Sequence, residues 1–358
     1  MQPLDFDVTN AVGNDSAIQV KEIAEHCKTY KGSDAKRSIF QLATTLALFI
    51  GTCGLMLYSL NISYWITALL VLPAAGLLIR IFIFQHDCGH GSFFNSKAAN
   101  DWTGRLLGVL TVTPYDFWRR AHNKHHATSG DLDRRSIGGI DTITVREYQA
   151  LSKPHQLAYR IYRNPFVLLI LGTPFYVMIL QRFPFNQATN FYENYQTVSV
   201  SSIWKSIMLT NAAIVVCYGS VAFFVGLGPL LAIYLPTLMV TAWIGGWLFY
   251  IQHQFEDTYW EENKNWNIQE AALLGSSYYA LPKIVQWFTG NIGLHHIHHL
   301  CSRIPNYKLQ ECMDARPELE SINKLTFLDS LKCVSFKLWD EQKGKLVSFR
   351  HIEPKGAL

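Results

Sequence analysis

Nine of the chain's thirteen histidines fall in a pattern. The stretch HDCGH places His86 and His90 four residues apart. HNKHH gives His122, His125 and His126 at i, i+3 and i+4, and LHHIHHL repeats that spacing with His295, His298 and His299. His253 stands by itself in YIQHQFEDTYW. Residues three and four apart share a face of an α-helix, so each set would turn its imidazoles one way. Neutral imidazole binds zinc, copper, iron and nickel. One such pair is equally an ordinary pair of surface histidines, and His253 could simply bond Glu256 or Asp257. Three sets together carry the metal reading. A zinc ion takes about four ligands, so eight or nine histidines imply two ions. Two such ions with positions open for oxygen suit iron redox chemistry better than structural zinc. His296 sits about 100° around the helix from the rest of its set and is left out. His26, His155 and His351 are expected at the solvated surface.

Other chemistries lack their residues. The zinc-protease signature HExxH is absent, as are the Glu-x-x-His pairs of soluble di-iron bundles. No GxGxxG loop, CxxCH or cysteine quartet marks a flavin, haem or iron–sulfur group, so electrons would come from outside. Seven cysteines show no CxxC spacing and are expected to be free, in a reducing compartment or in membrane spans. Nothing in the modest net charge of +4 points to nucleic acid.

The elements that must hold these histidines are apolar. Only 16% of residues are charged, against roughly 25% in an ordinary soluble domain. Residues 38–79 contain no Asp, Glu, Lys or Arg, and neither do residues 206–255. A bilayer span needs about 20 residues, so each window fits a helical hairpin. Spans are expected at about 39–60, 63–84, 205–227 and 229–251, with turns at Leu60–Ser63 and Gly226–Pro229. The alternative is two pairs of buried helices in a soluble protein. Neither turn is charged, whereas Lys and Arg crowd the segments before, between and after the hairpins. The positive-inside rule then puts both termini and all nine histidines in the cytoplasm. Residues 165–181, broken by Gly172 and Pro174, and residues 105–114 read as interfacial or re-entrant, because an odd crossing would separate His253 from His86. The expected fold is thus an all-α integral membrane protein of four spans. An arm (1–37) leads in, a tail (353–358) follows, and a cytosolic helical cap (86–164 and 252–352) holds a two-metal site. The acidic start MQPLDFDVTN is no secretory signal. Transporters keep ionisable residues near the bilayer midplane, and these spans have none there.

HDCGH, HNKHH and HHIHH around two apolar hairpins resemble the histidine boxes of the integral-membrane fatty acid desaturases. HDCGHGSFF, HHATSGDLDRR, TVREYQALS, WLFYIQHQFEDTYW, TGNIGLHHIHHLCSRIPNYKL and KLWDEQKGKLVSFR are similar to the bacterial acyl-lipid branch of that family, over roughly residues 38–352. The boxes are less specific for regiochemistry, since hydroxylases and carotenoid-modifying enzymes share them.

The resemblance implies two iron ions held by His86, His90, His122, His125, His126, His253, His295, His298 and His299. It implies dioxygen as co-substrate and the acyl chains of membrane phospholipids as substrate, in the bacterial cytoplasmic membrane. An asparagine that some acyl-CoA relatives carry one turn before the isolated histidine is Phe249 here. Such a chemistry belongs to the metal, because a methylene C–H bond resists acid, base and nucleophile. Asp87, Asp131, Asp133, Glu256, Asp257 and Asn291 are candidates to orient the imidazoles, with Glu256 and Asn291 preferred. Phe93, Phe94, Trp118 and Trp247 could line an acyl channel or be ordinary core. Arg119, Arg120, Lys124, Arg134 and Arg135 could dock an acidic ferredoxin or flavodoxin, or touch anionic lipid.

Overall fold

The computed structural model describes residues 14–184, 191–192 and 198–352. The tail at 353–358 and the first thirteen residues of the arm lie outside them. A short helix α1 (Asn14–Lys28) precedes two long ones, α2 (Ala35–Ser59) and α3 (Tyr64–His90). Asp34 starts α2 by accepting from the backbone N–H groups of Lys36 and Arg37, and Ser63 caps α3. The hairpin between them is closed by a 2.7 Å bond between the Ser59 and Thr67 hydroxyls. Next come α4 (Lys97–Leu110), α5 (Tyr115–Thr128), β1 (Ile143–Thr144), α6 (Val145–Ala150) and α7 (Lys153–Tyr162). A π-helical stretch at Phe166–Gly172 leads into α8 (Thr173–Met178). The second long pair is α9 (Val200–Val225) and α10 (Leu227–His253), hinged at Gly226 with φ 90°.

The last hundred residues hold α11 (Ile268–Leu274), β2 (Tyr278–Tyr279), α12 (Lys283–Phe288), α13 (His295–Leu300) and α14 (Asn306–Asp314). After them come β3 (Lys324–Leu325), α15 (Phe327–Cys333), β4 (Leu338–Asp340) and β5 (Lys345–Val347). Two small sheets, β1-β4-β5 and β2-β3, qualify the all-α expectation. Their strands are two or three residues long, too short for a period of two to register in the sequence.

Among the described residues, four helices are long and apolar enough to cross a membrane: α2, α3, the 203–225 portion of α9, and α10. Their outward residues, such as Trp65, Leu69, Val215, Phe223 and Phe224, are exposed. α7 and residues 166–182 pass the same length and composition test as a pair bent by 55°, which fits a broken span or a re-entrant loop. Residues 105–114 complete α4 and form the turn after it. α3 runs on past residue 84, so HDCGH is its last turn and not a loop beyond it. Gly91, with φ 67°, then ends the helix in the left-handed conformation.

One cation ties the second hairpin to the C-terminal segment. Arg163 is fully buried just after α7. Its guanidinium donates to the Asp141 carbonyl (2.9 Å), the Gln254 amide oxygen (2.6 Å) and the Phe336 carbonyl (3.2 Å). Gln254 directly follows His253, so the same clamp fixes the end of α10. Nearby, Lys337 is 7% exposed and its ammonium has no hydrogen-bond partner among the described residues. Burial pushes that group down to about 7, and the Arg163 charge adds to the effect.

Candidate metal centre

The nine patterned histidines converge in two groups. His86, His90, His122, His126 and His298 form one; His125, His253, His295 and His299 form the other. Within each, one potential ligand atom per residue lies within 4.8 Å of all the rest. α3 serves only the first group and α10 only the second. α5 and α13 serve both: His125 turns away from His122 and His126, and His298 turns away from His295 and His299. The groups abut where the rings of His126 and His299 stack at 4.0 Å.

The spacing fits ligands of a shared ion. In the first group, Nε2 atoms stand 3.0 Å apart between His90 and His122, 3.1 Å between His122 and His126, and 3.2 Å between His126 and His298. In the second, His253 Nε2 is 3.1 Å from those of both His125 and His295. Two nitrogens about 2.1 Å from one metal stand about 3.0 Å apart at a right angle and about 3.4 Å at a tetrahedral one. Hydrogen bonding among the rings cannot account for the pattern. A neutral Nε2 carries one proton or one lone pair, yet His122, His126 and His253 each face two others. His299 Nε2 is buried with no hydrogen-bond partner among the described residues. The donor set therefore fits metal ions.

Burial holds the imidazoles of His122, His125, His126, His295, His298 and His299 well below the ordinary histidine value, and for each a neighbouring imidazole pushes the same way. They stay neutral, which is the form that binds metal. Two rings have their second nitrogen fixed. His253 Nδ1 lies 2.9 Å from the Gly275 carbonyl. That oxygen only accepts, so Nδ1 carries the proton and Nε2 faces the group with a lone pair. His86 Nδ1 is 3.3 Å from Asp87 Oδ1, and Asp87 Oδ2 accepts from both the backbone N–H and the side-chain amide of Asn306, each at 2.8 Å. Rings frame the site as well. Trp118 stacks on His122 at 4.6 Å, and Phe249 packs 5.3 Å from His125 and 5.7 Å from His253. A Cβ on Gly89 would come within 2.9 Å of the Trp118 ring, so the glycine in HDCGH makes room for it.

Several expected partners lie elsewhere. Glu256 pairs with Lys345 at 2.8 Å, and Asp257 is exposed. Asp131 and Asp133 organise their own loop with Arg134 and Asn263. Asn291 sits at φ 58°, a conformation asparagine tolerates, and donates to the Asn306 carbonyl. It shapes the turn between α12 and α13 without touching a histidine ring. Nearness in sequence misled here, because a helix end and the loop after it point apart. Of the proposed channel residues, Phe93 is core, stacked on Phe84, while Trp247 is half-buried in a cluster with residues of α3 and of the π-helical stretch. His296 is buried and bonds the Leu319 carbonyl, outside both groups. His26 is not solvated as expected: it is half-buried and lies 3.0 Å from the Cys312 carbonyl, joining α1 to α14.

The basic stretch is largely engaged internally. Arg135 is buried on Glu147, Arg134 bridges Asp131, and Arg119 bridges Asp101 and Asp116. Arg120 stays exposed. All seven cysteines are free.

A mostly helical chain with four helices fit to cross a membrane and two histidine groups fit to hold metal defines a class of membrane metalloprotein. Comparison with known proteins narrows it. The fatty acid desaturase family model matches residues 35–327, and the chain belongs to that family of oxidoreductases. It is 42% identical to the "Fatty acid desaturase" of Bacillus subtilis (strain 168), over 94% of this chain and 93% of that one. It is 29% identical, over 67% of its length, to the "sn-1 acyl-lipid omega-3 desaturase (ferredoxin)" of a Synechocystis strain, of which it covers 64%. It is 28% identical, over 70% of its length, to the "sn-2 acyl-lipid omega-3 desaturase (ferredoxin), chloroplastic" of Arabidopsis thaliana, of which it covers 55%.

Proposed function

We propose that the chain introduces a cis double bond into acyl chains of membrane phospholipids, using dioxygen and two iron ions held by the two histidine groups. The observation that carries this is the convergence of nine imidazoles, five and four, with His86, His90 and His253 at the ends of helices fit to span a membrane. Bound iron would supply the oxidising power needed against an unactivated C–H bond. The rest falls to the chain itself. His86, His90, His122, His126 and His298 would hold one ion, and His125, His253, His295 and His299 the other. Asp87 and the Gly275 carbonyl keep His86 and His253 in the ligating tautomer. Trp118 and Phe249 pack against the imidazoles and keep bulk water from them. Each turnover removes two hydrogens and reduces one dioxygen to two waters, so two electrons and two protons must arrive from outside.

An acidic ferredoxin-type donor is the natural supplier, and three relatives carry ferredoxin in their names. We place both termini and the histidines in the cytoplasm and the two uncharged turns outside, with residues 165–181 re-entrant, so that His86 and His253 share one side. A hydroxylase with the same centre is the alternative in chemistry; it would leave an added oxygen in place of a double bond. Iron analysis tests the metal assignment. The purified chain should hold about two iron ions, and His298→Ala should lower that number. A chain that takes up only zinc would contradict it.

A further inference from the structure

A second concentration of charge lies beside the α2–α3 hairpin, outside the histidine groups. A cavity of about 430 Å³ opens there, lined by Arg37, Arg80, Lys283, Phe40, Trp287 and Asn306 among others, with no carboxylate in its wall. Arg80 is 6% exposed. Its guanidinium donates to the Gln41 amide oxygen (2.8 Å), the Thr45 hydroxyl (3.3 Å) and the Trp287 carbonyl, and it lies 4.3 Å from the Trp287 ring centre. Every one of these partners is neutral, and no carboxylate bridges the charge. Asp87 acts on this charge only through space, without an ion pair, and a buried cation with no bonded anion is costly, so the wall favours a negative group. Lys283 is exposed and makes no ion pair among the described residues. Arg37 stands at the rim, held 2.9 Å from Glu311 and 3.1 Å from the Tyr307 carbonyl. The cavity is thus cationic within and apolar outside, since Ile39, Phe40 and Ile284 are exposed around it. An amphiphile with an anionic head matches both features. The cavity is also close to the metal centre: Asn306 in its wall donates to Asp87, which in turn faces His86.

We propose that this cavity binds the phosphate diester of the phospholipid whose acyl chain is oxidised. The proposal rests on the desaturase reading, but its test does not need turnover. The full-length protein in detergent is mixed with phosphatidylglycerol, or with a neutral glucosyl diacylglycerol bearing the same chains, and bound lipid is counted by native mass spectrometry. Wild type should prefer phosphatidylglycerol by about tenfold, the scale of a lost charge-assisted contact. The variant R37Q/K283Q, which removes the two outer cations of the cavity and leaves the buried Arg80 in place, should lose much of that preference. K31Q/K36Q removes the same charge nearby but outside the cavity and should keep it. Equal binding of both lipids by wild type, or equal loss in both double variants, would overturn the site; the latter would mean general surface charge. Displacement of the lipid by millimolar inorganic phosphate would assign the cavity to free phosphate and also overturn it. A chain that binds phosphatidylglycerol selectively yet forms no double bond would overturn the desaturase reading alone.

Discussion

Asp87 is one carboxylate with two duties, facing His86 through one oxygen and gathering two donors of Asn306 on the other. Such supports typically set metal affinity within 10- to 100-fold. Asp87→Ala should therefore weaken metal binding by about that factor in a chelator competition, while His26→Ala, remote from both groups, should not. Lys337 supplies a prediction of opposite sign. Its folded value of about 7 lies below the ordinary lysine value, so folding disfavours the charged form. The penalty is absent above about pH 10.5 and complete below about pH 7. Lys337→Met should raise stability by roughly 1–3 kcal/mol near pH 7, and the gain should vanish toward pH 10.5 in thermal melts. The nine clustered histidines are legible in sequence because helix periodicity sets which side chains share a face. Which group each joins is not, because it depends on how α5 and α13 cross. The Gly275 carbonyl is invisible for another reason: every residue has one, and only the fold aims it. Asn306 sits in RIPNYKL, a stretch that carries family likeness and no chemical hint of contact with Asp87.

At the scale of elements, three of the histidine boxes are helical, as their spacing requires. α3 carries its box straight out of an apolar helix, so the packing of α2, α4 and α10 on α3 also positions His86 and His90. α13 is only six residues long and is held from outside, by the turn at Asn291 and by His296 on Leu319. The long apolar helices are readable from the charge-free windows. The tiny sheets and the π-helical stretch at 166–172 are not, since β1–β4 and β2–β3 pair across long sequence separations, the β4–β5 hairpin is only three residues a side, and Gly172 and Pro174 interrupt an apolar run. Arg163 links three of these parts. Arg163→Met would take the charged donor from the Gln254 amide oxygen and the Asp141 and Phe336 carbonyls, leaving them only the Thr142, Tyr159 and Tyr250 hydroxyls at 3.2–3.4 Å. It should cost about 3 kcal/mol, read as a lower melting temperature of the detergent-solubilised protein.

At the scale of the whole molecule, the two hairpins bring histidines more than 200 residues apart to one end of the helices. Charge alone suggests the orientation, because the basic residues avoid both turns. With cysteines introduced at Asn61 and Gly228 in a chain stripped of its own, a membrane-impermeant thiol reagent should label both from outside intact cells. A cysteine at Lys343 should stay unlabelled. Labelling of only one turn would mean an odd number of crossings and make residues 153–182 a true span. Desaturation of lipid acyl chains by this centre can be read in a bacterium that makes no unsaturated fatty acids. The chain is expressed with iron and a ferredoxin-type donor, and double bonds in phospholipid acyl chains are mapped by mass spectrometry. A new double bond is expected at a fixed position, dependent on oxygen and lost in His298→Ala. Hydroxylated chains, or no new unsaturation from an iron-loaded, donor-supplied protein, would contradict it.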